Sequence, residues 1–215
     1  MTARLLPLFL VGCATAGTPD KGGGSQTDAS NSHVFEDAAE VTADAPKVFM
    51  DACVPTPTEL LKNPSFDLDP IGTMWTESAT GLVTAQDGVT EQSAPYKAWL
   101  GGLTSFSDTL YQDVTVPAST TSLVLTGYYW VATAESGGVF DTASVKLTQT
   151  SGTPIETVMA FTEASKTTTW TAINHTFTNP SAGQTVRLML TSTNDSTLPT
   201  SFYFDTLSLQ ATACP

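Results

Sequence analysis

From residue 53 onward the apolar residues come in short runs, and in several of them apolar and polar positions alternate. Ala143-Ser144-Val145-Lys146-Leu147-Thr148 has this period of two, and Val186, Leu188 and Leu190 repeat it around Arg187. Such a period puts one face of a strand against a core and the other toward water. Almost nothing recurs at helical spacing. Further strands are predicted over 110–116, 123–131, 155–161, 170–177 and 202–209. Turn formers separate them: Pro117-Ala118, Ser136-Gly137-Gly138, Ser151-Gly152, Asn179-Pro180 and Leu198-Pro199. With about eight or more strands and a return of the last to the first, two packed antiparallel sheets bury the apolar faces most economically. The expected fold is an all-β jelly-roll sandwich over 53–215.

The chain before it is different. Residues 14–52 hold a Gly-Gly-Gly-Ser run from Gly22, many Ala and Asp residues, and few apolar groups. Such a segment buries too little surface to offset its ordering entropy, so 13–52 is predicted to be a disordered, flexible acidic tether. His33 within it has no companion ligands and reads as spacer. The formal net charge is −13, and the only cations from residue 53 onward are Lys62, Lys97, Lys146, Lys166 and Arg187. Nucleic acid is thereby excluded as a partner, because phosphate neutralisation needs a clustered basic patch. An anionic lipid surface would repel the chain, so any membrane attachment must come from acyl chains.

The N-terminus supplies a candidate for that attachment. One basic residue, Arg4, precedes an apolar run over 5–11, and Leu10-Val11-Gly12-Cys13 closes it with a small residue directly before a cysteine. The run is too short to span a bilayer. The layout resembles the lipobox of bacterial lipoproteins. That resemblance implies a signal peptide over 1–12, cleaved before Cys13, with Cys13 diacylated and anchored in a lipid bilayer. It implies a place in the bacterial cell envelope; Ala14, instead of Asp, after the cysteine points to the outer membrane or cell surface. With Cys13 lipidated, Cys53 and Cys214 remain as a pair in an oxidising compartment, and a disulfide between them is expected.

Several segments carry a second resemblance. They are Asn63-Pro64-Ser65-Phe66-Asp67, 96–102, 108–112, 182–188 and the closing Ser201-Phe202-Tyr203-Phe204-Asp205-Thr206-Leu207-Ser208-Leu209. Together they resemble the galactose-binding-like jelly-roll domains that serve as carbohydrate-binding modules of secreted bacterial proteins. The resemblance implies a structural calcium ion held by Asp67 and Asp205, with backbone carbonyls near Asn63 and in the 91–96 loop completing its shell. Asp67 stands where the family more often has Glu, one methylene shorter.

Catalytic chemistry finds little support. A nucleophilic triad needs a histidine base, and His175 is the only histidine from residue 53 onward. Asp108, Asp113, Glu135 and Asp141 are available as carboxylates, yet no spacing selects two of them for glycoside hydrolysis. Aromatic rings that stack on sugars are the more promising feature. Trp99 and Tyr111 fall inside motifs that look structural, whereas Tyr128-Tyr129-Trp130 puts aromatics on both faces of one strand and Trp75 lies among turn formers. Trp75, Tyr128 and Trp130 are therefore the expected ligand-binding residues. The expected function is a surface-tethered, non-catalytic binding domain for carbohydrate. The alternative is a structural or cell-envelope protein-interaction module with no small ligand.

Overall fold

The computed structural model describes residues 53–86 and 88–214. The signal segment, Cys13 and the tether lie outside the described residues. In chain order the strands are β1 (Thr56–Glu59), β2 (Thr76–Glu77), β3 (Val83–Thr84), β4 (Lys97–Gly101), β5 (Ser107–Thr115) and β6 (Thr120–Ala132). There follow β7 (Thr142–Gln149), β8 (Pro154–Thr162), β9 (Thr171–Thr176), β10 (Thr185–Thr193) and β11 (Ser201–Ala213). The one helical element among the described residues is a 3-10 turn, η1 (Glu163–Ser165), directly after β8. All pairings are antiparallel. One sheet runs β3-β4-β11-β6-β9 with β1 also paired to β11, and the other runs β2-β5-β10-β7-β8. The expected two-sheet sandwich is the observed architecture.

Alternation explains how the layers meet. In β10, Val186, Leu188, Leu190 and Ser192 are buried, while Arg187, Met189 and Thr191 are half-buried on the opposite face. β5 repeats the pattern, with Asp108, Leu110, Gln112 and Val114 inward. Leu100, Leu123, Leu125, Phe202, Phe204 and Leu209 meet them from the other sheet. Burying each such side chain contributes roughly 1.5–3 kcal/mol, which is what holds two otherwise independent sheets together.

β11 organises the six-stranded sheet. It pairs with β6 on one side, and on the other with β4 along its first half and β1 along its second. The register shifts between Asp205 and Ser208, where one neighbour is exchanged for the other. Opposite this bulge lies Gly127, and a Cβ there would collide with Leu207, so the strand can bend only over a glycine. Beyond the bulge, Cys53 and Cys214 form the expected disulfide, with Cα atoms 5.6 Å apart.

Candidate functional site

The outer face of the five-stranded sheet presents Tyr111, Asp113, Arg187, Met189, Thr191 and Lys146. Register sets them in rows. Thr76, Tyr111, Met189, Lys146 and Thr157 stand side by side across five strands, and Asp113 faces Arg187 in the next row. Arg187 donates from Nε to Asp113 Oδ1 (2.6 Å) and from Nη2 to Oδ2 (3.0 Å). Its Cζ lies 3.6 Å from the Tyr111 ring centroid, a cation–π stack that the carboxylate locks in place. The Asp113 hydrogen bonds also raise the guanidinium pKa, so Arg187 stays charged. A hollow of about 570 Å³ opens beside this stack, bordered by Lys62, Met74, Thr76, Tyr111, Asp113 and Thr115. A second, of about 500 Å³, lies on the far side of β10 by Ser144, Lys146, Thr157 and Thr191. Among the described residues Lys146 makes no ion pair.

The sequence reading placed the aromatics elsewhere. Trp75 is core, not surface: it is 7% exposed, packs on Phe66 with ring centroids 4.9 Å apart, and donates its indole N–H to Asn63 O (2.9 Å). Its turn-rich neighbourhood folds over it. Tyr128 and Trp130 do face outward, from the six-stranded sheet, and both are half-buried. Trp130 sits in a row with Tyr203, which stacks on Trp99, and meets Trp170 edge-on with centroids 6.0 Å apart. Gly88 and Thr90 cover part of this row, Thr90 O accepting from the Trp170 indole (2.8 Å). Gly88 there has φ 114° and presses so closely on Tyr203 that a Cβ would overlap its hydroxyl. Tyr128 borders a shallower hollow of about 330 Å³ with Ala172, Asn174 and Thr206. Tyr111, set aside as structural, is the aromatic in the larger hollow; only its odd-numbered place in β5 beside Asp113 pointed there.

Asp67 and Asp205 are brought to the same loop. Asp205 is fully buried in β11; its Oδ2 accepts from Gln92 N (2.8 Å) and Ser93 N (2.9 Å), and its Oδ1 from Thr206 N (2.6 Å). Asp67 accepts from Ser93 Oγ (2.8 Å) and Tyr96 N (3.1 Å). Desolvation pushes the Asp205 pKa up to about 6 against these hydrogen bonds, with the Asp67 charge adding to the rise. The loop thus turns N–H groups toward the carboxylates where a calcium shell needs carbonyl oxygens, and Asn63 O is taken by the Trp75 indole. As placed, these residues form a hydrogen-bonded clasp that does not fit a calcium ion. Lys97, buried beneath the loop, adds an ion pair with Glu91 (2.8 Å) and a hydrogen bond to Gln86 O.

The remaining carboxylates and the histidine have structural partners. Glu156 on β8 accepts from His175 Nε2 on β9 (2.7 Å) and from Thr178 N (3.0 Å), closing one open edge between the sheets. Desolvation works against the Glu156 charge, but the His175 and Thr178 hydrogen bonds outweigh it and lower the pKa. Asp108 accepts from Gly101 N (2.8 Å) at Oδ2, and burial raises its pKa. Glu135 and Asp141 lie at the end of the sandwich where β6 leads into β7, together with Glu163, which the sequence reading did not single out. Glu135 Oε1 accepts from Thr197 Oγ1 (3.0 Å), and Glu163 Oε1 from Phe140 N and from Asp141 N (2.6 Å).

No family model and no curated protein matches the chain. Solved structures share its fold. TmCBM61 in complex with β-1,4-galactotriose is 16% identical over 71% of this chain and 97% of its own, with a TM-score of 0.46. Arabinose-bound MgGH51 α-L-arabinofuranosidase is 16% identical over 71% of this chain and 26% of its own, with a TM-score of 0.50. Family 16 carbohydrate binding module-2 is 19% identical over 70% of this chain and 98% of its own, with a TM-score of 0.47. Identities this low speak for the sandwich architecture alone.

Proposed function

We propose that this protein is a non-catalytic carbohydrate-binding domain whose ligand lies along the outer face of the five-stranded sheet. The observation that carries the reading is the Tyr111–Arg187–Asp113 stack at the edge of a 570 Å³ hollow. An aromatic ring offers an apolar surface for the sugar ring, and a locked guanidinium–carboxylate pair offers directed donors and acceptors for its hydroxyls. Asp113 holds Arg187 in advance, so little side-chain entropy is lost on binding. Lys146, in the Tyr111 row two strands away, gives an extended chain a second polar contact. The domain is read as lipid-anchored through Cys13 and displayed on the cell envelope by the 13–52 segment. A glycan array on the domain tests this. Binding lost in Tyr111→Ala and kept in Trp130→Ala supports the site; unchanged binding in Tyr111→Ala moves it off this face, and no glycan bound by the wild type sinks the carbohydrate reading.

A further inference from the structure

Acidic residues outnumber basic ones by 21 to 8 along the chain, yet the outer face of the five-stranded sheet reverses that balance. The outward positions of β5, β10 and β7 hold one carboxylate, Asp113, and two cations, Arg187 and Lys146; most of the others are Thr or Ser. The β8 residues beside them, Thr157, Ala160 and Thr162, are uncharged. Arg187 neutralises Asp113 in the two-pronged pair already described, which leaves Lys146 as the net charge of the face. Lys62 stands at its rim: its N–H donates to Gln112 Oε1 (2.6 Å) and its carbonyl accepts from Gln112 Nε2 (2.8 Å), which sets the residue beside β5 on the border of the 570 Å³ hollow.

Three of the five cations from residue 53 onward have protein acceptors. Lys97 donates to Glu91 and Gln86 O, Lys166 to Thr133 O (2.7 Å), and Arg187 to Asp113. The ammonium groups of Lys62 and Lys146 have none among the described residues. Each borders one of the two hollows, Lys62 the larger and Lys146 the 500 Å³ one across β10. No carboxylate competes for them there. The 500 Å³ hollow is bordered by no acidic residue, and at the larger one Glu59 is already engaged: its Oε1 accepts from Leu61 N (2.8 Å) and Leu209 N (2.9 Å), and its Oε2 from Ser208 Oγ. With strands about 4.8 Å apart, Lys146 stands roughly 10 Å from Tyr111 in the same row.

We propose, resting on the carbohydrate reading of this face, that its ligand is an anionic glycan, whose carboxylate or sulfate ester groups are received by Lys146 and Lys62 while Tyr111 stacks on a sugar ring. The hydroxyls of a neutral glycan are served by the Thr and Ser side chains and by the Arg187–Asp113 pair, and need no ammonium group. A lysine suits a carboxylate or a sulfate alike, because it is a compact charge with rotatable donors and imposes no bidentate geometry. The rest of the acidic domain repels such a ligand, so charge confines it to this face and sets its register there.

The test is titration calorimetry of the full chain with oligogalacturonate and its carboxyl-reduced, neutral counterpart, and in parallel with a sulfated galactan oligosaccharide and its desulfated form. At least one charged probe should bind about fivefold or more tighter than its neutral partner at low salt, and added salt should narrow the gap. Which charged probe is preferred tells carboxylate from sulfate. Lys146→Gln should cut the preference by about two- to fivefold and leave the neutral probe's affinity unchanged, whereas Lys146→Arg keeps it. Lys62 is exposed and Lys146 half-buried on the outer face, so these variants fold. Charged and neutral probes bound equally, or the neutral ones tighter, overturn the inference, and the carbohydrate reading stands if Tyr111→Ala abolishes that binding. A preference undiminished when Lys62→Gln and Lys146→Gln are combined overturns it too, because the charge is then read elsewhere. Binding of none of the probes overturns it as well, and the glycan array then decides the carbohydrate reading by itself.

Discussion

At Asp67 and Asp205 every carboxylate oxygen meets an N–H or O–H, whereas Glu135 and Glu163 each keep one buried oxygen that no donor reaches. Both pairs are assembled from distant stretches of chain, and both lie where loops fold over strand ends. The first pair has spent its acceptor capacity on holding the 91–96 loop against β11. The second has capacity left, and no protein donor to fill it. Two carboxylates brought together therefore do not by themselves make a metal site: where amides and hydroxyls already fill the lone pairs, no ligand capacity is left.

The comparison breaks most visibly at Asp205. Asp205→Ala leaves the amides of Gln92, Ser93 and Thr206 without their acceptor and should cost about 3 kcal/mol of unfolding free energy. Urea titration measures it. A loss under ~1 kcal/mol would mean that water replaces the carboxylate and that the clasp holds nothing.

A pH series sharpens the same point. The folded-state pKa of Asp205, about 6, lies above the unfolded value of 3.8, so the folded chain binds the extra proton between them. Its contribution to stability is full below the unfolded value and is lost as pH rises through about 6, by up to roughly 3 kcal/mol. Stability measured from pH 4 to 7 should carry this falling component, and Asp205→Asn should flatten it. Equal slopes in the two proteins would show that the carboxylate does not titrate in this range. Glu156 contributes with the opposite sign: its lowered pKa gives stability that is lost on acidification below the ordinary carboxylate range.

The smallest effect belongs to Glu135→Gln. The variant removes a buried carboxylate oxygen that has no donor, so the midpoint should stay within about 2 °C of wild type or rise. A large fall would show that the Glu135 carboxyl is itself a donor in the native state. Opposite outcomes at Asp205 and Glu135 are what distinguish carboxylates whose oxygens are all engaged from one with an oxygen to spare.

Most of the sandwich was legible because its long strands announce themselves by period. The predicted 110–116, 123–131, 155–161, 170–177 and 202–209 segments all fall on observed strands, β5, β6, β8, β9 and β11. β1 was not, because Thr56-Pro57-Thr58-Glu59 is exposed throughout and carries no apolar signal; β11 recruits it by backbone hydrogen bonds. β2 and β3, at two residues each, are too short to show any period. The Cys53–Cys214 pairing followed from counting cysteines. The aromatic assignments fared unevenly, since alternation says that a strand has two faces and not which of them a loop will cover. Tyr203 and Trp130 share a row partly closed by the Gly88 loop, and Tyr111 has an open one. Glu163 escaped notice because its significance lies in a missing donor, which only the fold reveals.

The disulfide at the end of β11 decides how the domain bears a pull. Without it, tension on the chain preceding Cys53 would peel the four-residue β1 away one pairing at a time, like a zipper. With Cys53 bonded to Cys214, the load passes around β1 and enters β11, a thirteen-residue strand flanked by β6 along its length. Moving that strand along its own axis means breaking many ladder bonds at once. The domain is therefore gripped by its stiffest strand, and its most weakly attached one carries no tension.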